Sequence, residues 1–328
     1  MSQQADTMTD AEFADRTEPF RRELLAHCYR MLGSVDDAED VVQETYLRAW
    51  RSYGRFEGRS SVRTWLYQIA TNTCLTARQH RVRRALPSGL GGPGEDRDAE
   101  LAGSELGWLQ PLPDALVTGE ADDPAVIAVT RDSLRLALIA SFQFLPPRQR
   151  AVLLLREVLA FPAEDVARML GTTTVAVKSA LQRARTRLSD VAPAGRQLAE
   201  PSEPAARALL DQYIAAFEHA DAAALERLLR RDAVLELPPS SVWFTGGEAI
   251  ATAVAGLGSP GEWRMVPTAA NGQPAAAAYQ RGADGTYRAF GIVVLTAAAT
   301  GLARIVVFGD PGLFGRFGLP PTWGDPVH

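Results

Sequence analysis

The chain has 328 residues, enough for two or three domains, and its 46% hydrophobic and 22% charged residues are the balance of a folded, soluble protein. A net charge of −5 gives no global pull on a polyanion, but the charge is segregated: the stretches 51–84 and 178–187 are Arg-rich and locally positive. Cys28 and Cys74 have no metal-ligand spacing and sit in helical patterns, which fits buried thiols in a reducing cytoplasm, and no secretory signal is read in the sequence.

Residues 1–12 are polar and expected to be disordered. The pattern over 13–85 is helical. Phe20, Leu24, Leu25, Cys28, Tyr29 and Leu32 make one stripe, ended by Gly33. Ser34 caps a second helix, with Asp37 three residues later and Val41, Val42, Tyr46, Leu47 and Trp50 as its apolar side. A third helix starts near Ser61 and runs through Trp65, Leu66, Ile69, Ala70 and Leu75. Phe56, in the preceding loop, and Arg63, Gln68, Asn72, Arg78, Arg81, Arg83 and Arg84 interleave an aromatic ring with polar groups and cations. That mixture suits single-stranded nucleic acid, since bases stack on rings while guanidinium groups hold phosphates. Gly54 and Gly58 would let the loop backbone approach an extruded base. Trp65 is in register with Leu66 and Ile69 and reads as core.

Residues 86–123 are rich in Gly, Pro and acids and read as a linker, with one apolar island, Trp108 to Pro113, expected to dock on something. Helical pattern returns over 124–191. There Ala167, Gly171 and Val177 stand at the offsets of a helix-turn-helix, and Val166, Leu170, Ala180 and Leu181 complete its apolar face. Thr174, Lys178, Ser179, Gln182, Arg183 and Arg185 point outward along the second helix, which would enter a major groove. An ordinary helical hairpin could also carry a basic face, but it has no need of those three offsets.

A second linker, 192–203, leads into residues 204–328. Helices over 205–219 and 222–229 precede strands at 234–237, 263–266, 275–280, 287–295 and 302–308, so a curved antiparallel sheet wrapped on helices is expected. The run from Ala289 to Phe308 is nearly long enough to cross a bilayer. Its two β-branched clusters, split by a turn and by Arg304, read instead as two buried strands, with no membrane partner. Asp232, Glu236 and His219 could serve acid–base chemistry with Tyr279 or Trp243 as donor, but Asp232 reads as a turn residue, His219 as a helix end, and Glu236 faces either solvent or the pocket; no catalytic residue, metal or cofactor is assigned. The Gly309–Pro320 run lacks the Lys-Ser/Thr pair of a phosphate loop, and Phe314, Phe317 and Leu319 suggest a packing tail.

The segment Asp37-Ala38-Glu39-Asp40-Val41-Val42-Gln43-Glu44-Thr45-Tyr46-Leu47-Arg48-Ala49-Trp50 resembles the polymerase-binding helix of bacterial extracytoplasmic-function sigma factors. The segment from Phe56 through Trp65 to Asn72 resembles their promoter-melting region, and Leu145 to Leu154 with the helix-turn-helix resembles their promoter-reading domain. Residues 204–318 resemble the SnoaL-like domain that some of these factors carry, on Leu210 to Phe217, Asp232-Ala233, Pro238-Pro239, Trp243 to Gly246 and Phe317 to Pro320. The resemblance implies a multidomain protein: two all-α sigma domains, domain 2 at 13–85 and domain 4 at 124–191, and an α+β SnoaL-like cone at 204–328. Asp37, Asp40, Glu44 and Arg48 would meet the β′ clamp helices of core RNA polymerase, with the β flap as a further polymerase contact. Phe56, Arg63, Gln68 and Asn72 would take the minus-10 element. Thr174, Lys178, Ser179, Gln182, Arg183 and Arg185 would read the minus-35 element. Thr76 departs from the pattern, the family often having an acid there before Arg78.

The implied protein is a cytoplasmic alternative sigma factor and not an enzyme. Its C-terminal domain, open to a small-molecule ligand, would regulate it in cis through the Phe314, Phe317 and Leu319 tail, packed on the sigma domains or on the linker near Trp108. A compact, restrained free state that opens on polymerase is expected. The alternative is a DNA-binding regulator whose C-terminal domain is a small-molecule sensor or an isomerase- or cyclase-like enzyme. The pairing of Asp37–Trp50 with Phe56–Asn72, which a simple repressor would not need, favours the sigma factor.

Overall fold

A computed structural model describes residues 10–78, 84–89, 92–93, 107–119, 123–191, 201–256 and 258–323. Arg81, Arg83, residues 1–9 and most of the second expected linker lie outside these. The chain divides into two units, Met1–Arg84 with Leu116–Pro193, and Ala85–Ala115 with Ala194–His328.

The first unit is helical. Helix α1 (Asp10–Thr17) starts inside the stretch expected to be disordered, because Phe13 is buried edge-on against Tyr46, Trp50 and Tyr53. Helix α2 (Arg21–Leu32) ends at Gly33, whose φ of 72° is open to glycine at little cost. Helix α3 (Val35–Ser52) begins where the Ser34 hydroxyl accepts the Asp37 N–H at 3.2 Å, the cap expected from sequence. Helix α4 (Val62–Arg78) packs on both, and Leu24, Cys28, Tyr29, Leu66, Ala70 and Cys74 are buried. Helices α5 (Pro124–Asp132), α6 (Leu136–Gln143), α7 (Pro147–Leu153), α8 (Ala163–Met169) and α9 (Thr174–Val191) follow.

Helices α6 and α7 touch α2, and α7 and α8 touch α4. Arg150, fully buried on α7, donates to the Met31 carbonyl at 2.5 Å and to Gln143 Oε1 at 2.6 Å. A cation at the C-terminus of α2 meets carbonyls that the helix itself leaves unpaired.

In the second unit, helices α10 (Glu203–Glu218), α11 (Ala222–Leu228) and α12 (Gly247–Ala255) lie against one sheet. Two short strands, β1 (Arg84–Ala85) and β2 (Gly107–Trp108), precede it in the chain. The sheet strands are β3 (Leu229–Glu236), β4 (Trp243–Thr245), β5 (Trp263–Ala270), β6 (Gln273–Arg281), β7 (Tyr287–Ala298), β8 (Gly301–Phe308) and β9 (Thr322–Trp323). Their order is β4-β3-β8-β7-β6-β5, with β9 on β7; β3 and β8 run parallel and the other pairs antiparallel. Asn271 and Gly272, both at positive φ, turn β5 into β6 as a two-residue hairpin requires. The run expected as two buried strands is the β7–β8 hairpin. No helix among the described residues is long and apolar enough to cross a membrane. Helix α12 and strand β4 were not expected, and β5 and β6 extend beyond the expected strands, because their alanines carry little β-strand signal.

Ala276, Ala278, Val293, Leu295 and Ile305 face the helices, so their neighbours Ala275, Ala277, Tyr279, Ile292 and Val294 face the other way. The C-terminal tail closes on that second face. Phe314 is buried edge-on to Tyr279 at 4.9 Å, and the Tyr279 hydroxyl donates to the Pro320 carbonyl at 3.0 Å. Phe317 and Leu319 are half-buried. The tail thus packs on its own domain.

Part of the expected linker also belongs to this fold. Leu86, Leu109 and Leu112 are buried, and the Leu109 N–H donates to the Ala85 carbonyl. Asn271 clasps Leu112 twice, its N–H donating to the Leu112 carbonyl and its Oδ1 accepting the Leu112 N–H, each at 2.9 Å. Asp114 accepts the Gly272 N–H at 2.8 Å, and Pro113 bridges to Ala270. Glu236, fully buried, accepts the Ser88 N–H at 2.9 Å and pairs with Arg304 at 2.5 Å. The apolar island docks, and the segment through Ala115 is a strap on the sheet.

Candidate polymerase and promoter interface

Helix α3 buries Val35, Ala38, Val41, Val42, Thr45 and Ala49, a spacing that turns Asp40, Leu47, Arg48 and Trp50 outward. Glu44 is half-buried and bonds Arg48 Nε at 2.6 Å, an exposed i,i+4 pair. Asp37 is set apart: it is buried and pairs with Arg84 at 2.7 Å. Leu47 and Trp50, expected on the apolar side, are 51% and 41% exposed, because the buried stripe passes through Thr45 and Ala49 instead. A Leu and a Trp thus lie beside Asp40 on the exposed face of α3, a mixture that suits protein docking.

In the loop after α3, the Phe56 ring lies 4.9 Å from Trp65 and 5.8 Å from Tyr53. Trp65, expected in the core, is half-buried in this aromatic trio, so it adds a stacking surface missed in sequence. Gly58 has a φ of +68° and open space around it. On α4, Gln68 is exposed, and Asn72 Nδ2 donates to the Gln68 carbonyl at 2.9 Å and the Met169 carbonyl at 3.0 Å. Arg63 grips the Glu23 carboxylate with Nε and Nη2 and sits 5.0 Å from the centres of both the Tyr67 and Phe161 rings. Behind it, His27 is wholly buried against Tyr67 and bonded to Thr71 Oγ1 at 2.9 Å; burial first, then Arg30 and Arg63, pushes its pKa down to about 3.

Helix α8, Gly171 at φ +59° and helix α9 form the helix-turn-helix, with Val166, Ala167, Leu170 and Val177 buried inside it. The Thr172 N–H closes the turn on the Ala167 carbonyl at 2.9 Å. Lys178, Ser179, Gln182, Arg183 and Arg185 are exposed and Thr174 is half-buried. Arg183 bonds Ser179 Oγ at 2.6 Å, while Arg185 is drawn back to Glu157. Val175, 74% exposed at the start of α9, was not singled out in sequence and suits contact with a thymine methyl.

In the second unit His219 ends α10 and bonds its own helix at Ala215, and Asp232 pairs with Arg230 on strand β3 rather than in a turn. Glu236 is committed to Arg304 and the strap. The crevice between helices and sheet, lined by Phe217, Leu225, Val254 and Trp263, has a volume of about 10 Å³, no more than one water needs.

A basic recognition helix, an acidic docking helix and an aromatic loop on one polypeptide are the parts of a transcription initiation factor of the sigma-70 class. Residues 17–84 match the family model for Sigma-70 region 2, and 135–188 that for Sigma-70, region 4. The chain belongs to the ECF RNA polymerase sigma factors. It is 52% identical over 316 residues to the ECF RNA polymerase sigma factor SigG of Mycobacterium tuberculosis (strain ATCC 25618 / H37Rv), a match spanning 95% of this chain and 85% of that one. It is 30% identical over 231 residues to SigJ of the same strain, spanning 70% of this chain and 63% of that one. The crystal structure of M. tuberculosis SigJ shares the fold, with a TM-score of 0.61 at 23% identity over 94% of this chain and 100% of that one. The protein is an alternative sigma factor that binds core RNA polymerase and promoter DNA, with a C-terminal α+β domain whose fold the SigJ structure shares.

Proposed function

We propose that the outward face of α3 docks on the β′ clamp helices, that region 4 also meets the β flap, and that the C-terminal domain regulates initiation in cis. On this reading the protein works in the cytoplasm and its C-terminal domain is no enzyme; the commitment of Glu236 to Arg304 and the Ser88 amide supports the second of these. Phe56, Gln68 and Asn72, with Arg63 once released from Glu23, take the opened minus-10 strand. The outer face of α9 reads the minus-35 element.

The observation that carries the regulatory reading is the bond from Asn72 to the Met169 carbonyl. It joins the minus-10 helix to the helix-turn-helix. Promoter elements about 25 base pairs apart are some 85 Å apart at about 3.4 Å per base pair, so one factor reaches both only with its two regions separated. The Ala85–Ala115 segment, on the order of 100 Å when extended at about 3.3–3.6 Å per residue, links the two regions along the chain. Ser88, Leu112 and Asp114 of that segment are bonded to the sheet, and while those bonds hold it cannot extend to its full length. The C-terminal domain therefore restrains the factor by holding its linker.

The test is run-off transcription with purified core polymerase. Replacing Leu109 and Leu112 by Asp in the full chain places two charges where the strap is buried and should release it, raising transcription severalfold. Removing residues 202–328 should act in the same direction. If the strap becomes protease-sensitive and output stays at the wild-type level, the linker-holding mechanism is wrong.

A further inference from the structure

The first unit contains a cavity of about 570 Å³ whose walls come from α2 and α4 on one side and from residues 117–159 on the other. Three arginines line it: Arg22, Arg30 and Arg63. Among the described residues one carboxylate, Glu23, lines it with them, and that one is held by Arg63. Arg22 is exposed on α2 and no ion pair joins it to a described residue.

Arg30 is the informative group. It is 4% exposed, its Nη2 donates to Ser133 Oγ at 2.6 Å, and its Nε is buried with no partner. No carboxylate among the described residues pairs with it, and burial draws its pKa down to about 10. An ionised guanidinium buried without a counter-anion costs several kcal/mol in general, and structures normally compensate such a charge. The Ser133 hydroxyl that accepts from Arg30 donates to the Thr130 carbonyl at 2.8 Å, and the Thr130 hydroxyl, which lines the same space, can donate to an anion. The remaining wall is apolar, formed by Val117, Val129, Val158 and Leu159.

We infer that this cavity binds a small organic anion, its carboxylate or phosphate head on Arg30 and Arg22 and its apolar body on the valine and leucine wall. Arginine forks suit either head, since both offer paired oxygens. Neutral molecules of the same shape would leave the Arg30 charge uncompensated. Because the walls come from both regions, the bound anion would also favour the closed arrangement, a consequence that rests on the regulatory reading above.

Binding is measured by calorimetric titration of the full chain, free of polymerase and DNA, so the result does not depend on how transcription is regulated. Phenyl phosphate and phenylacetate are the probes, with inorganic phosphate and phenol as controls. Saturable binding of at least one organic anion is expected, at least tenfold tighter than inorganic phosphate, with none for phenol; which head binds better identifies the natural one. Arg30→Met should weaken it tenfold or more. Should loss of Arg30 unfold the protein, Val129→Glu decides: Val129 is 63% exposed at the cavity, so the carboxylate is tolerated by the fold and repels the ligand. No saturable binding of either organic anion, binding of phenol equal to that of the anions, or affinity unchanged in Val129→Glu, would each overturn the site.

Discussion

The closed arrangement of regions 2 and 4 can be tested at Phe161, which lies in none of the proposed DNA or polymerase surfaces. Phe161 is 5% exposed, edge-on to Tyr67 of α4 at 5.2 Å and beneath the Arg63 guanidinium. Burying a phenylalanine contributes roughly 1.5–3 kcal/mol, and an aromatic pair adds about 0.5–1.5 kcal/mol. Part of that burial is within region 4 itself, so about 2 kcal/mol belongs to the interface. At about 1.4 kcal/mol per decade, Phe161→Ala should shift the ratio of closed to open chains roughly thirtyfold. Donor and acceptor dyes at the exposed positions Arg51 and Ser189 would report it as reduced energy transfer, and promoter binding by the free chain should rise. Phe161→Leu should give an intermediate shift. If Phe161→Ala keeps native helicity and polymerase affinity yet leaves dye separation and promoter binding unchanged, the ring does not hold the regions together.

Arg183→Ala should cost about 1–3 kcal/mol if the side chain meets a base edge, seen as lost minus-35 protection in footprints of the holoenzyme; full protection would remove Arg183 from the reading surface. Asp40→Lys with Glu44→Lys should weaken core binding through lost charge complementarity while sparing DNA contacts, whereas Phe56→Ala with Gln68→Ala should lower permanganate reactivity of the opened strand without changing core affinity. If both pairs behave alike, docking and melting are not divided as proposed. His27 makes the first unit acid-sensitive, since the unfolded chain takes up a proton near pH 6.5 while the folded one does so only near pH 3. Stability is therefore lost as pH falls through that window, by roughly 2 kcal/mol between pH 7 and pH 5. Urea denaturation at the two values should show the drop in the wild type and not in His27→Gln; an equal drop in both would acquit His27.

Local pattern carried a large share of this protein. The Ser34 cap, the glycine stops at 33 and 171 and the inward Val166, Leu170 and Val177 could be read from spacing, because a cap or a tight turn is decided within a few residues. The sheet of the C-terminal domain was legible where strands are β-branched, as in 292–295 and 305–308, and blurred where they are alanine. Other features depended on what packs against an element. Periodicity assigned Leu47 and Trp50 to the buried side of α3, yet Thr45 and Ala49 take that place. Glu236 could have faced either side of its strand until Arg304 and the Ser88 amide claimed it.

The sequence by itself determined the family, the helices and the groups that can meet nucleic acid, since these follow from residue type and short spacing. Tertiary structure alone decided that Asn72 bonds to Met169, that Arg150 caps α2 and that the strap lies on the C-terminal sheet. Those contacts join residues about a hundred positions or more apart. A periodic pattern tells which face of an element is apolar, and a Gly- and Pro-rich composition tells that a segment is not regular; neither says which distant surface will cover it. That choice is made by the summed burial and hydrogen bonding of the folded chain.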